Sequence, residues 1–117
     1  MGVELSVAQA LGLWHDVNLH MVRDDEPDLS VRQVAILLTI YMEAPPHTVR
    51  GLARKLNVTK PVITRALDSM GRLDLVSRRR DDEDRRNVLV QRTVKGALYL
   101  ERLADTIREY GRAAPRA

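Results

Sequence analysis

The stretch VRGLARKLNVTKPVITRALDSMGRL, residues 49–73, constrains this chain more than any other. It reads as a helix, a tight turn and a second helix. Ala53 stands where two helix axes must come close. Asn57 falls in the turn, where a left-handed backbone is needed, and Asn tolerates that conformation better than most non-glycine residues. Val58 is expected to be a buried plug, and Thr59 to cap the next helix with its hydroxyl. Pro61 sits in the first helical turn, where its missing N–H costs little. Ile63, Ala66, Leu67 and Met70 recur at helical spacing and form one apolar face. Lys60, Pro61, Thr64, Arg65 and Asp68 lie on the other side. A second helix built this way can offer polar and basic groups to a DNA major groove. The plain alternative is a helical hairpin with a solvated outer face, and only context separates the two.

That context begins upstream. Residues 3–22 have an apolar stripe through Leu5, Ala8, Leu11, Trp14 or His15, Val17 and Met21, widened by Val7, Ala10, Leu13 and Val22. It is broader than one neighbouring helix would cover, which points to a partner chain. RDDEPD, residues 23–28, breaks the pattern as a loop. Residues 29–42 form a second helix, with Ser30 as N-cap and Gln33 completing a capping box. Pro45 and Pro46 stop it, and Thr48 caps the helix that opens the central stretch.

Downstream the period changes. VSRRR begins a short strand, DDEDRR is a loop, and residues 87–93 alternate, with Val88, Val90 and Arg92 on one side and Leu89 and Gln91 on the other. Two strands and a charged loop directly after a helix-turn-helix make a β-hairpin wing. Arg78, Arg79, Arg80, Arg85 and Arg86 flank Asp81, Asp82, Glu83 and Asp84. A solvated charge run is the bland reading. Acids held between arginines can also pin the loop by ion pairs and leave one guanidinium at its tip, fit to enter a minor groove. Thr93 caps a last helix over residues 94–110, again richly apolar. Gly111 is expected to end it, leaving RAAPRA, residues 112–117, as a disordered tail.

Composition narrows the chemistry. The chain has 117 residues, the size of one domain, with a formal net charge of +3, a mild excess that suits a nucleic-acid partner. Cysteine is absent, which removes disulfides, thiolate catalysis and Cys-ligated zinc together. His15, His20 and His47 share no ligand spacing, so no metal is expected. No glycine-rich phosphate loop, nucleophile elbow or buried-looking carboxylate pair is present, so no catalytic residue and no cofactor is assigned and an enzyme is not expected. No apolar run approaches the roughly 20 residues that span a bilayer. MGVELSVAQ lacks the pattern of a secretory signal, and a cytoplasmic protein is expected.

Residues 30–96 resemble the winged helix-turn-helix of the MarR (multiple antibiotic resistance regulator) family of bacterial transcription factors. The resemblance is carried by LSVRQVAILLTI, TVRGLARKLNVTKPVITRALDSM and LVSRRRDDEDRRNVLVQRTVKG. The last piece is the most specific. The family pattern there is Asp-x-x-Asp-Arg-Arg, a hydrophobic strand, then Leu-Thr-x-x-Gly. Here Asp81, Asp84, Arg85 and Arg86 precede the strand, and Thr93 and Gly96 follow it. Arg92 stands where the leucine is usual, and Asn57 where the turn glycine is usual.

The resemblance implies a homodimer, each subunit laying one helix in a major groove and one wing in the flanking minor groove. Thr59, Lys60, Pro61, Thr64 and Arg65 would serve as the helix contacts, to base edges and phosphates. Arg86 would be the minor-groove arginine with Asp84 as its support, and Arg85 a phosphate clamp. Arg50 and Lys55 are weaker phosphate candidates. Family members commonly carry a further C-terminal helix, so a dimer resting on the first and last helices is expected for this chain. Relatives also bind small phenolic or lipophilic effectors. Trp14, His15, Asn18, Arg23 and Tyr41 are candidates to line such a site, but plain burial is the commoner fate of such residues, and no effector site is assigned.

The expected fold is therefore α+β, mainly α: a single winged-helix domain over residues 1–117. Residues 1–23 and 94–111 are its dimerisation helices, 29–93 its DNA-binding part and 112–117 its tail. The expected function is sequence-specific binding of double-stranded DNA to regulate transcription, as a repressor on a pseudo-palindromic operator. The alternative is a winged-helix protein-interaction module with weak or no specific DNA binding.

Overall fold

Ser6 and Ser30 each start a helix by the same device. Each hydroxyl accepts from a backbone N–H three residues on, Gln9 or Gln33, and each glutamine side chain accepts the serine's own N–H at 2.9 and 2.7 Å. These capping boxes open α1 (Val7–Arg23) and α2 (Val31–Met42). There follow β1 (His47–Thr48), α3 (Val49–Leu56), α4 (Lys60–Arg72), β2 (Val76–Arg80), β3 (Val88–Arg92) and α5 (Val94–Ala113), then a 3-10 turn over Ala114–Arg116. This is a computed structural model, and it describes residues 2 and 4–116. Val3, the expected start of the first helix, lies outside the described residues. The chain divides into two compact units, residues 29–99 and residues 1–28 with 100–117.

In the first unit, α2 buries Ile36, Leu37 and Ile40, α3 buries Leu52, and α4 buries Ile63, Leu67 and Met70, with Leu75 and Val76 completing the core. Each such side chain contributes roughly 1.5–3 kcal/mol relative to exposure. The antiparallel sheet has the order β1-β3-β2, with Arg78 opposite Val90 and Arg80 opposite Val88. Strand β1 is absent from the sequence-based expectation, because two residues are too few to show alternation. It pairs His47 with Val90 and Thr48 with Leu89, and Thr48 also caps α3 by accepting from Gly51 N–H at 2.9 Å.

Both helices of the central motif end alike. Asn57 (φ 57°) and Asp74 (φ 59°) are left-handed. Each donates its N–H to the carbonyl three residues back, and the next residue donates five back: Val58 to Ala53 at 3.0 Å and Leu75 to Met70 at 2.9 Å. This is the Schellman arrangement, which satisfies the last carbonyls of a helix. Val58, expected as a buried plug, is only half-buried. Thr59 makes no side-chain cap. Pro61 at the second helical position has no N–H to give, which removes one of the two donors such a cap could use.

A second knot fastens the start of α5. Tyr41 Oη accepts from Thr93 N–H (2.9 Å) and donates to Thr93 C=O (2.7 Å). Thr93 Oγ1 donates to Asp74 C=O and accepts from Gly96 N–H. Gly96 must be glycine, because a Cβ there would overlap both Leu75 O and Tyr41 Oη. Arg92, at the position where leucine is usual, donates to the carbonyls of Ile40 (3.0 Å) and Tyr41 (3.1 Å) and lies over the Tyr41 ring. It neutralises the carbonyl end of α2, where a cation is favoured.

In the second unit Val17, Thr106 and Ala114 are buried. Arg102 of α5 pairs with Asp24 and Glu26, and the rings of His20 and Tyr110 meet edge-on at 5.9 Å. Val7, Leu11, Trp14 and Val22 of α1 are exposed by 58% or more. Gly111 does not end α5. Its φ is not positive, so it cannot form a left-handed cap, and the helix continues to Ala113. Nor is the segment after it loose: Ala114 is buried, and Pro115 C=O accepts from Gln9 Nε2 at 3.3 Å.

Candidate nucleic-acid interface

Burial of Ile63, Ala66, Leu67 and Met70 fixes the rotation of α4. The opposite side is thereby turned to solvent. Thr59, Lys60, Pro61 and Arg65 are exposed and Thr64 is half-exposed, as the helical period requires. Lys60 and Arg65 have no ion-pair partner among the described residues. Two cations are thus presented on a rigid helix without an acid to neutralise them. Asp68, on the same side, accepts from Arg78 Nη2 at 2.7 Å, which ties α4 to strand β2.

The wing loop is closed by its own backbone and by paired charges. Asp81 N–H donates to Asn87 C=O, and Asn87 N–H to Asp84 C=O at 2.9 Å. Arg80 Nη1 donates to Arg85 C=O at 2.8 Å, and Arg79 lies 3.8 Å from Asp82. Asp84 takes both edges of Arg86: Nε donates to Oδ1 (3.0 Å), Nη2 to Oδ2 (3.1 Å), and Arg86 N–H also donates to Oδ1 (3.1 Å). Such a fork fixes direction as well as charge. The Arg86 side chain bonds, then its backbone N–H, hold the Asp84 carboxyl below its ordinary value of 3.8, with Arg50 adding a smaller pull. The same pair holds Arg86 more firmly charged. The Arg86 side chain is nonetheless 78% exposed.

The sequence-based expectation is one guanidinium at the loop tip. Two are presented: Arg86, oriented by Asp84, and Arg85, whose side chain has no partner among the described residues. Of the weaker candidates, Lys55 is engaged with Glu43 at 2.6 Å, while Arg50 is exposed on α3. Tyr41, a candidate for an effector site, spends its hydroxyl on Thr93. Among the described residues no three His, Asp or Glu could hold a metal together, and no helix is long and apolar enough to cross a membrane.

The arrangement can receive a polyanion at two places, a basic helix face and a narrow basic loop. Comparison with known proteins gives the same frame. The model of the MarR family matches residues 29–88, just over half of the chain. The HTH-type transcriptional repressor YetL of Bacillus subtilis (strain 168) is 37% identical over 67 residues, 56% of this chain and 40% of YetL. The chain spans about half the length of the curated relatives it matches. Among solved structures, the transcriptional regulator BldR from Sulfolobus solfataricus superposes with a TM-score of 0.65 at 31% identity, over 88% of this chain and 72% of that one. A mutant of S. aureus MepR bound to an oligodeoxyribonucleotide superposes with a TM-score of 0.78 over 94% and 82% of the two chains; at 18% identity this likeness concerns the fold alone. The family match spans the helix-turn-helix and the first wing strand, and with it the chain belongs to the MarR family.

Proposed function

We propose that this protein binds double-stranded DNA by sequence and regulates transcription, as a homodimeric repressor that occludes a promoter. The observation that carries the reading is the pairing of an unneutralised basic face on α4 with a wing arginine aimed by Asp84. In this reading Lys60, Pro61, Thr64 and Arg65, with Thr59 at the helix entrance, meet base edges and phosphates. Arg86 enters the minor groove with Asp84 as its support, and Arg85 grips a phosphate. The exposed Val7, Leu11, Trp14 and Val22 of α1 and the apolar residues of α5 supply the contacts between subunits. Two subunits then read half-sites about one helical turn apart. Such a protein works in the cytoplasm, where the DNA is. The name of YetL as a repressor and the oligonucleotide bound to the MepR mutant support the reading.

Selection of bound fragments from random duplex DNA, followed by a salt titration, tests it. Enrichment of a two-fold symmetric sequence, with affinity falling steeply as salt rises, is the expected result. No enrichment and little affinity at low salt would favour the protein-interaction module instead.

A further inference from the structure

A cleft of about 350 Å³ lies between the first turn of α2 and the first half of α4, lined by Ser30, Arg32, Gln33, Val62, Arg65 and Ala66. Two guanidiniums on different helices border it, and no carboxylate is among its lining residues. Arg32 and Arg65 are both exposed, and neither has a hydrogen-bond or ion-pair partner for its side chain among the described residues. Most other arginines of this unit differ: Arg78, Arg79 and Arg86 face acids, and Arg80 and Arg92 bond to carbonyls. The polar side chains of the α2 entrance are already used, since Ser30 and Gln33 satisfy each other's N–H groups. What remains facing the cleft is positive charge over an apolar floor of Val62 and Ala66. Like charges held together on rigid helices are relieved by an anion between them, and the planar guanidinium fork matches phosphate oxygens.

We propose that Arg32, with Arg65 at the opposite rim, clamps a phosphodiester of the DNA strand bordering the groove that α4 occupies. This rests on the DNA-binding reading above, and it adds a residue from outside both the helix-turn-helix and the wing. A phosphate contact carries no base information; it sets the register and depth of the helix. Arg32 therefore contributes equally to every sequence.

The test is a fluorescence-anisotropy titration of the full chain against a selected duplex and a scrambled duplex of equal length, over a salt series. Wild type, Arg32→Ala and Arg32→Lys are compared. Arg32→Ala should weaken both duplexes by on the order of tenfold at roughly 0.1 M salt, and lower the log–log salt slope by about 0.9 per bound subunit. Preference for the selected duplex should be unchanged, and Arg32→Lys should keep most of the slope. Ethylation of one phosphate beside the α4 groove should weaken wild type more than Arg32→Ala, which keeps only the Arg65 contact to it. If wild type binds the selected duplex and Arg32→Ala matches its affinity and slope, the clamp is wrong and the DNA-binding reading stands. If wild type binds neither duplex, both fall. Loss of sequence preference in Arg32→Ala would also overturn the sequence-neutral role.

Discussion

Asp84 holds Arg86 from three directions, through Nε, Nη2 and the backbone N–H, in a loop where both side chains reach solvent. The carboxyl is lowered, so the pair is intact above the ordinary aspartate value of 3.8 and is lost as the pH falls through the lowered value. A carboxyl carbon NMR titration should place the Asp84 midpoint below 3.8. Arg86→Ala should raise it part of the way back, because the backbone N–H bond survives. An identical midpoint in the two proteins would show that the fork is not formed in solution.

Gly96 offers a sharp test of the knot around Thr93. A methyl group there meets the Leu75 carbonyl and the Tyr41 hydroxyl, and both are already committed to backbone positions. Gly96→Ala should cost about 1–3 kcal/mol in urea denaturation, the usual cost of overpacking. Gly111→Ala serves as the control, since a Cβ at Gly111 meets nothing within 4 Å. It should be neutral or stabilising. Equal stability of the two variants would contradict the close approach of α5 to Leu75.

Asn57 carries the turn of the helix-turn-helix in a left-handed conformation. Alanine bears the full steric penalty of that conformation, so Asn57→Ala should destabilise by about 1 kcal/mol. Asn57→Gly relieves the strain but loosens the unfolded chain, and the two effects should nearly cancel. Thermal unfolding of the three proteins checks the order. Alanine as stable as asparagine would mean that the turn relaxes to another backbone.

The helix-turn-helix is legible because its information is local. Caps, turn and apolar spacing all lie within residues 48–70, and Asn57 as the turn residue can be read directly. The features that are not legible depend on distant partners. Asp74 takes the same left-handed role as Asn57, but it falls between the helical stretch that ends at Leu73 and the strand that follows, and nothing local marks it as a turn residue. Arg92 reads as a strand residue on the side of Val88 and Val90, and nothing local says that it reaches the carbonyls of Ile40 and Tyr41. The tie between Asp68 and Arg78 is likewise invisible until the hairpin folds back on α4. Gly111 misleads for the opposite reason: glycine near a helix end usually marks a left-handed cap, yet here the chain stays helical until the turn containing Pro115. At the interface, the outward side of α4 follows from its periodicity. The cleft bordered by Arg32 does not, because it joins two helices that are not neighbours in the sequence.

The presentation of α4 and the wing as two joint prongs is tested most directly by the affinity of Arg65→Ala and Arg86→Ala for a selected duplex, measured at fixed salt. Each substitution should weaken specific binding by roughly 1–3 kcal/mol, with melting temperatures unchanged. Wild-type affinity in both variants would contradict the assignment of the helix and the wing as the DNA-reading surface.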